Sequence, residues 1–203
     1  ILRLTNVKAD RIKIIPHGNY IPFINIQDDK AASRNLLDIP QNKKILLFFG
    51  MIKKVKGLEI LLQALKLVTE VNHDVLVVIA GKVWENNFSI YQKIINEKNL
   101  QDYCLLRTNF IPEEDVEHYF CACDLVVLPY KKIYQSGVLM MALSYGKPAL
   151  ASDLPPFKEI LEDDINGFLF ESENPASLAT KINQILNDNT LLEQVKKNGA
   201  EMI

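Results

Sequence analysis

Lys44-Ile45-Leu46-Leu47-Phe48-Phe49-Gly50-Met51-Ile52-Lys53-Lys54-Val55-Lys56-Gly57 joins a strand pattern to the start of a helix pattern through a short basic loop. After Lys44 it runs through five unbroken apolar residues, about a strand's length, breaks at a glycine, crowds three lysines into a short loop and closes on a second glycine. Beyond it Leu58, Leu61, Leu62, Leu65 and Val68 recur at helical spacing, as one apolar stripe. A strand apolar on both faces and followed at once by an amphipathic helix belongs to a parallel sheet covered on both sides.

The same unit recurs along the chain. Short apolar runs stand at Arg11 to Ile15, Val75 to Ala80, Tyr103 to Arg107, Leu125 to Leu128, Pro148 to Ala151 and, more weakly, Gly167 to Phe170. Between them lie helical patterns. Pro112 is expected at the first position of a helix whose opening turn holds Glu113, Glu114 and Asp115, where carboxylates meet the positive end of the helix dipole. Leu178, Ile182, Ile185 and Leu186 form a further stripe after Asn174-Pro175. Strand and helix alternating in this way predict an α/β, Rossmann-like doubly wound parallel sheet.

Bulk composition narrows the function. The 203 residues are 48% hydrophobic and 24% charged, enough to bury a full core without disulfide or metal staples. A net charge of -2 gives no electrostatic footprint for nucleic acid. Cys104, Cys121 and Cys123 are odd in number and lack metal-ligand spacing, so they read as small buried hydrophobes in a reducing compartment, and no metal is expected. His17, His73 and His118 have no ligand spacing either. No apolar run is long enough to span a bilayer and no signal peptide is recognisable, which places the expectation in the cytoplasm. The chain opens on Ile1 and a polar segment, so a piece of a longer protein is expected.

In a doubly wound sheet the chemistry belongs at the junctions where strands hand over to helices. Three junctions stand out. At Gly50 to Gly57, ammonium groups beside a helix start suit a diphosphate, although solvated surface lysines are the plainer reading. At Tyr130 to Val138, Gln135-Ser136-Gly137 opens an apolar helix; the glycine admits close approach to backbone N–H groups, and Ser136 serves as cap or donor. At Ala80-Gly81-Lys82 a glycine and a cation again follow a buried strand. Neither a Gly-x-Gly-x-x-Gly nor a Walker A sequence is present, which removes the usual support for dinucleotide binding or nucleotide hydrolysis.

Taken in order, these junctions resemble the C-terminal, donor-binding domain of retaining glycosyltransferases of the GT-B fold, family 4 (glycosyltransferases group 1). Ile14-Ile15-Pro16-His17-Gly18 is similar to the family's Ile-Pro-Asn-Gly segment between its two domains, and Gly50 through Lys56-Gly57 to its Gly-Arg-x-x-x-x-Lys-Gly loop. Val78-Ile79-Ala80-Gly81 resembles the following strand and glycine, and Phe110-Ile111-Pro112 through Pro129 the stretch that contacts the base. Gly146-Lys147-Pro148-Ala149-Leu150-Ala151-Ser152, then Glu159 and Asn166-Gly167-Phe168-Leu169, resemble its closing elements.

The resemblance implies a boundary near residue 20: residues 1–20 as interdomain segment and first strand, 21–203 as the nucleotide-sugar-binding domain, with the N-terminal acceptor domain outside the chain. It implies a nucleoside-diphosphate sugar as donor substrate, no further cofactor, and membrane association through the other half. Lys56 takes the place of the lysine that pairs with the donor diphosphate, and Lys53 supplies a second cation, since Met51 stands where the family has arginine. Backbone N–H groups at Ser136, Gly137 and Val138 receive the distal phosphate, and Phe110 and Ile111 line the base site. Ile133 and Met141 occupy the positions of the family's paired glutamates, leaving Gln135 part of the sugar-binding role. Pro155-Pro156 replaces a Gly-Gly pair and stiffens the loop before Glu159. Two other readings stay open: a degenerate, non-catalytic binding module and a sugar-nucleotide epimerase.

Overall fold

The computed structural model describes residues 11, 13, 17–24, 29–84 and 87–203. Six parallel strands form one sheet: β1 (Lys44–Phe49), β2 (Val75–Ala80), β3 (Cys104–Arg107), β4 (Leu125–Leu128), β5 (Ala149–Ser152) and β6 (Phe168–Phe170). Their spatial order is β3-β2-β1-β4-β5-β6, so the winding reverses between β1 and β4. β1 pairs with β2 along its whole length, from Lys44 opposite Val75 to Phe49 opposite Ala80. The helices are α1 (Lys30–Leu36), α2 (Leu58–Thr69), α3 (Ser89–Glu97), α4 (Glu113–Ala122), α5 (Gly137–Ser144), α6 (Pro155–Lys158), α7 (Pro175–Asn187) and α8 (Asn189–Glu201).

The strand period of two divides the core into two layers. Leu46 and Phe48 of β1, with Val75, Val77 and Ile79 of β2, face a layer built from α2, α3 and α7. Ile45, Leu47 and Phe49, with Leu76, Val78 and Ala80, face the layer of α4, α5 and α6. Beyond Lys44 at the start of β1, both central strands are therefore apolar throughout, as they read in the sequence. The expected doubly wound α/β sheet is the observed one.

Local differences have local causes. Pro112 is the N-cap of α4 rather than its first residue, because its extended ψ of 150° holds it just outside the helix. α7 begins as its sequence suggests: Asn174 caps it by accepting from the Ala176 and Ser177 N–H groups. The expected strand Arg11 to Ile15 lies largely outside the described residues. Among the described residues no helix is long and apolar enough to cross a membrane.

α1 is anchored by a charge the sequence does not advertise. The Arg34 side chain, 3% exposed, donates to the Ala122 carbonyl (2.9 Å), the Gln41 and Lys43 carbonyls (2.9 and 3.1 Å) and Asp124 Oδ2 (2.8 Å). Asp124 also accepts from the Ile45 N–H (2.7 Å) and from Lys30. A guanidinium buried with most of its donors used is tolerated where an unpaired one would not be. This network fastens the amino ends of β1 and β4, at the sheet edge opposite the strand-to-helix junctions.

Candidate functional site

At the carboxyl edge, beside the β1–β4 reversal, three chain segments converge. Gly50 leaves β1 with φ of 95° and Gly81 leaves β2 with φ of 140°, both in the region that favours glycine. A Cβ on Gly81 would overlap the Gly50 carbonyl, and one on Gly50 would touch Val138 Cγ2 at 3.4 Å. The ends of β1 and β2 are thus pressed together beneath the first turn of α5.

The lysine loop runs through a 3-10 turn at Lys54–Lys56 to Gly57, whose φ is 66°. A Cβ on Gly57 would overlap the Pro129 carbonyl oxygen, so this loop packs directly on the exit of β4. Lys56 then projects onto Tyr130: Nζ donates to the phenolic oxygen at 2.6 Å and sits 4.1 Å from the ring centroid. Burial, and then the neighbouring Lys53 charge, bring the Lys56 ammonium down to about 8. Burial pushes the Tyr130 phenol far up, partly offset by a hydrogen bond with the Ser136 side chain. Tyr130 therefore stays neutral and gives Lys56 no counter-charge.

Ser136 caps α5 by accepting from the Leu139 N–H at 3.1 Å. The Gly137 and Val138 N–H groups are left without an acceptor among the described residues. A helix start with free N–H groups and an uncompensated ammonium on one hydrogen-bonded path can receive an anion.

His17 and Tyr20 belong to the same place, which the sequence did not reveal. A Cβ on Gly137 would meet His17 Nε2 and Tyr20 Oη, each at 3.2 Å. The Tyr20 N–H donates to Ser144 Oγ at 2.9 Å, which ties this segment to the far end of α5. The matching Ile14-Ile15-Pro16 lies outside the described residues. Beside the start of α5 opens a cavity of about 470 Å³, lined among others by His17, Tyr134, Gln135, Ser136 and Glu159. Gln135, Ser136 and Glu159 thus line the same cavity.

The remaining expected residues are placed differently. Lys53 turns away onto the Trp84 ring, 4.2 Å from its centroid, in a separate cavity of about 390 Å³ between the lysine loop and the start of α3. It influences Lys56 by charge, but its ammonium is not gathered with that of Lys56 against Tyr130. Met51, at the arginine position, is 41% exposed. Phe110 is 73% exposed on the approach to α4, while Ile111 is half-buried against the apolar layer below. Ile133 packs on that layer too. Met141 lines a cavity of about 290 Å³ together with Tyr20, Phe23, Val116 and Tyr145. Among the described residues no group of His, Cys, Asp or Glu could hold a metal ion.

Known proteins resemble this chain in sequence and in fold. The chain is 32% identical over 176 residues to a GDP-mannose:glycolipid 4-beta-D-mannosyltransferase of Xanthomonas campestris pv. campestris, covering 86% of this chain and 47% of that protein. The crystal structure of Anabaena Alr3699/HepE in complex with UDP and glucose superposes with a TM-score of 0.84 at 22% identity, over 97% of this chain and 53% of that one. The C-terminal domain of LpcC, a glycosyl transferase group 1 family protein from Francisella tularensis, matches over 91% of this chain and 96% of its own, with a TM-score of 0.80 and 20% identity. The chain spans about half the length of the curated relatives it matches. Residues 29–202, from the N-cap of α1 to the end of α8, match the model of the glycosyl transferases group 1, and the chain belongs to that family.

Proposed function

We propose that this chain is the donor-binding domain of a retaining, family 4 glycosyltransferase. It binds a nucleoside-diphosphate sugar, and the glycosyl group passes to an acceptor held by an N-terminal domain outside residues 1–203. The observation that carries the reading is the convergence of Lys56 with the free N–H groups of Gly137 and Val138. Both are positive, both are held by buried groups, and neither has an anionic partner among the described residues.

Sugar transfer requires a departing diphosphate to be stabilised while positive charge builds on the sugar carbon. Lys56 and the α5 start supply that stabilisation from fixed positions, so little reorganisation is needed at the moment of reaction. An arriving diphosphate gives the Lys56 ammonium the counter-charge that Tyr130 withholds, raising its pKa again. Gly50 and Gly81 keep the floor free of side chains, Phe110 and Ile111 offer a face for the base, and Gln135 reaches the cavity where the sugar lies. The relatives support this donor class: one is named for GDP-mannose, and another is solved with UDP and glucose.

A second reading has one specific observation behind it. Ile133 and Met141 put apolar groups where the family carries paired glutamates, which favours a module that binds the nucleotide without transferring sugar. Thermal shift of the chain against UDP, GDP and ADP, and then product analysis of the full-length protein, separates the two. One nucleoside diphosphate should raise Tm with the logarithm of its concentration, by about 2.7 kcal/mol of stability at a hundred times Kd. Lys56→Ala should remove most of that shift while preserving the fold. If no nucleotide shifts Tm, or if the shift survives Lys56→Ala, the donor site is misassigned. Binding without transfer selects the module, and the anomeric configuration of any product decides retention.

A further inference from the structure

Between the β1–α2 and β4–α5 loops there is more stitching than either loop needs for itself. Gly57 lies against the Pro129 carbonyl. The Lys131 N–H donates to the Val55 carbonyl at 2.9 Å. Lys56 reaches Tyr130, and one residue further along the same loop the Lys131 ammonium pairs with Glu59 Oε1. Glu59 is in the first turn of α2, so this pair spans the same gap as the Lys56–Tyr130 hydrogen bond. We propose that Glu59 and Lys131 are a positioning pair, a lock that holds the two anion-binding loops in register so that Lys56 faces the start of α5.

The pair is poorly explained as a stabilising contact. Both side chains are partly solvated, where ion pairs add little. Glu59 Oε2 is buried without a hydrogen-bond partner among the described residues, an arrangement that costs stability. The helix dipole offsets part of that cost, but any acidic residue in the first turn of α2 would obtain the same. A surface loop could also reach Glu59 with its lysine from many directions. Here the backbone beside that lysine is fixed to Val55, immediately before Lys56. What the pair adds is a definite distance between two loops that must act on one ligand.

The lock gives an unusual sign. Glu59 is an anion close to a proposed anion site, so deleting its charge should strengthen diphosphate binding if only the electrostatic field mattered. If it positions Lys56, deletion must weaken binding. This inference rests on the donor-site reading, and the test keeps the two apart. Titration calorimetry of the chain with whichever of UDP, GDP or ADP stabilises it most should show affinity about tenfold lower in Glu59→Met. In a Lys56→Met background the same substitution should change affinity less than about twofold, since the group it positions is gone. Glu59→Gln, the milder change if Glu59→Met fails to fold, should weaken binding in the same direction. Unchanged or tighter binding, or the same loss in both backgrounds, overturns the lock. If the unaltered chain binds none of the three nucleotides, the donor reading fails and amide hydrogen exchange decides the lock by itself. The Lys131 amide should then exchange at least about tenfold faster in Glu59→Met with the amides of α2 unchanged, and an unaltered Lys131 rate rejects it.

Discussion

Lys56 carries the clearest conflict between stability and use. Its pKa in the fold, about 8, lies below the ordinary lysine value of 10.5, so folding disfavours its charged form. The sign follows from proton counting. Below pH 8 both the folded and the unfolded chain hold the proton, and the penalty is present in full. Between pH 8 and 10.5 the unfolded state binds more protons, so stability rises as the penalty is relieved. Lys56→Met should therefore stabilise the chain at pH 7, on the order of 1 to 3 kcal/mol, and should remove that rise from urea titrations run across pH 7 to 10.5. An equal or lower stability in Lys56→Met at pH 7 speaks against a strained ammonium. Nucleotide affinity should move the other way, falling as pH rises above 8 and Lys56 loses its charge. Lys56 was legible in the sequence as a lysine between a strand and a helix; its strain was not, because burial by Tyr130 comes from a residue 74 positions away.

Among the elements, the strands were the most readable. β1 and β2 run over the residues their apolar stretches suggest, because burial on both faces leaves room for a polar residue only at the strand's outer end, as at Lys44. Helix ends were less so: Pro112 serves equally well outside a helix as inside it, and tertiary packing settled which. Gly57 shows what the loops depend on. Its left-handed φ and its contact with the Pro129 carbonyl both exclude a side chain, so Gly57→Ala should cost about 2 kcal/mol or more and weaken nucleotide binding at once, measured by denaturation and calorimetry together. Ser136→Ala is the milder comparison: losing the α5 cap should cost about 1 kcal/mol. If Gly57→Ala left both stability and affinity intact, the two loops would not be joined as described. The gathering of His17 and Tyr20 over Gly137 left no trace in sequence spacing, since a chain segment more than a hundred residues upstream delivers both rings.

At the scale of the molecule, the two edges of the sheet do different work. The amino edge is fastened by Arg34 and Asp124, and the carboxyl edge holds Lys56 and the α5 start. Arg34→Ala takes the buried guanidinium from Asp124, which keeps Lys30 and the Ile45 N–H, leaves the Ala122, Gln41 and Lys43 carbonyls without that donor, and should destabilise the chain by about 3 to 5 kcal/mol. Folded Arg34→Ala should bind nucleotide as tightly as the unaltered chain, because the site lies across the sheet. An affinity loss at temperatures where the variant is fully folded would show the edges to be coupled.

A nucleoside diphosphate is expected between Lys56 and the first turn of α5. A crystal structure of the chain grown with the nucleotide that stabilises it most tests this directly. The expected result places distal phosphate oxygens within hydrogen-bonding distance of Lys56 Nζ and of the Gly137 and Val138 N–H groups, with the base toward Phe110. A diphosphate bound instead in the cavity beside Lys53 and Trp84, or one that leaves Lys56 on Tyr130 and the α5 start empty, contradicts it.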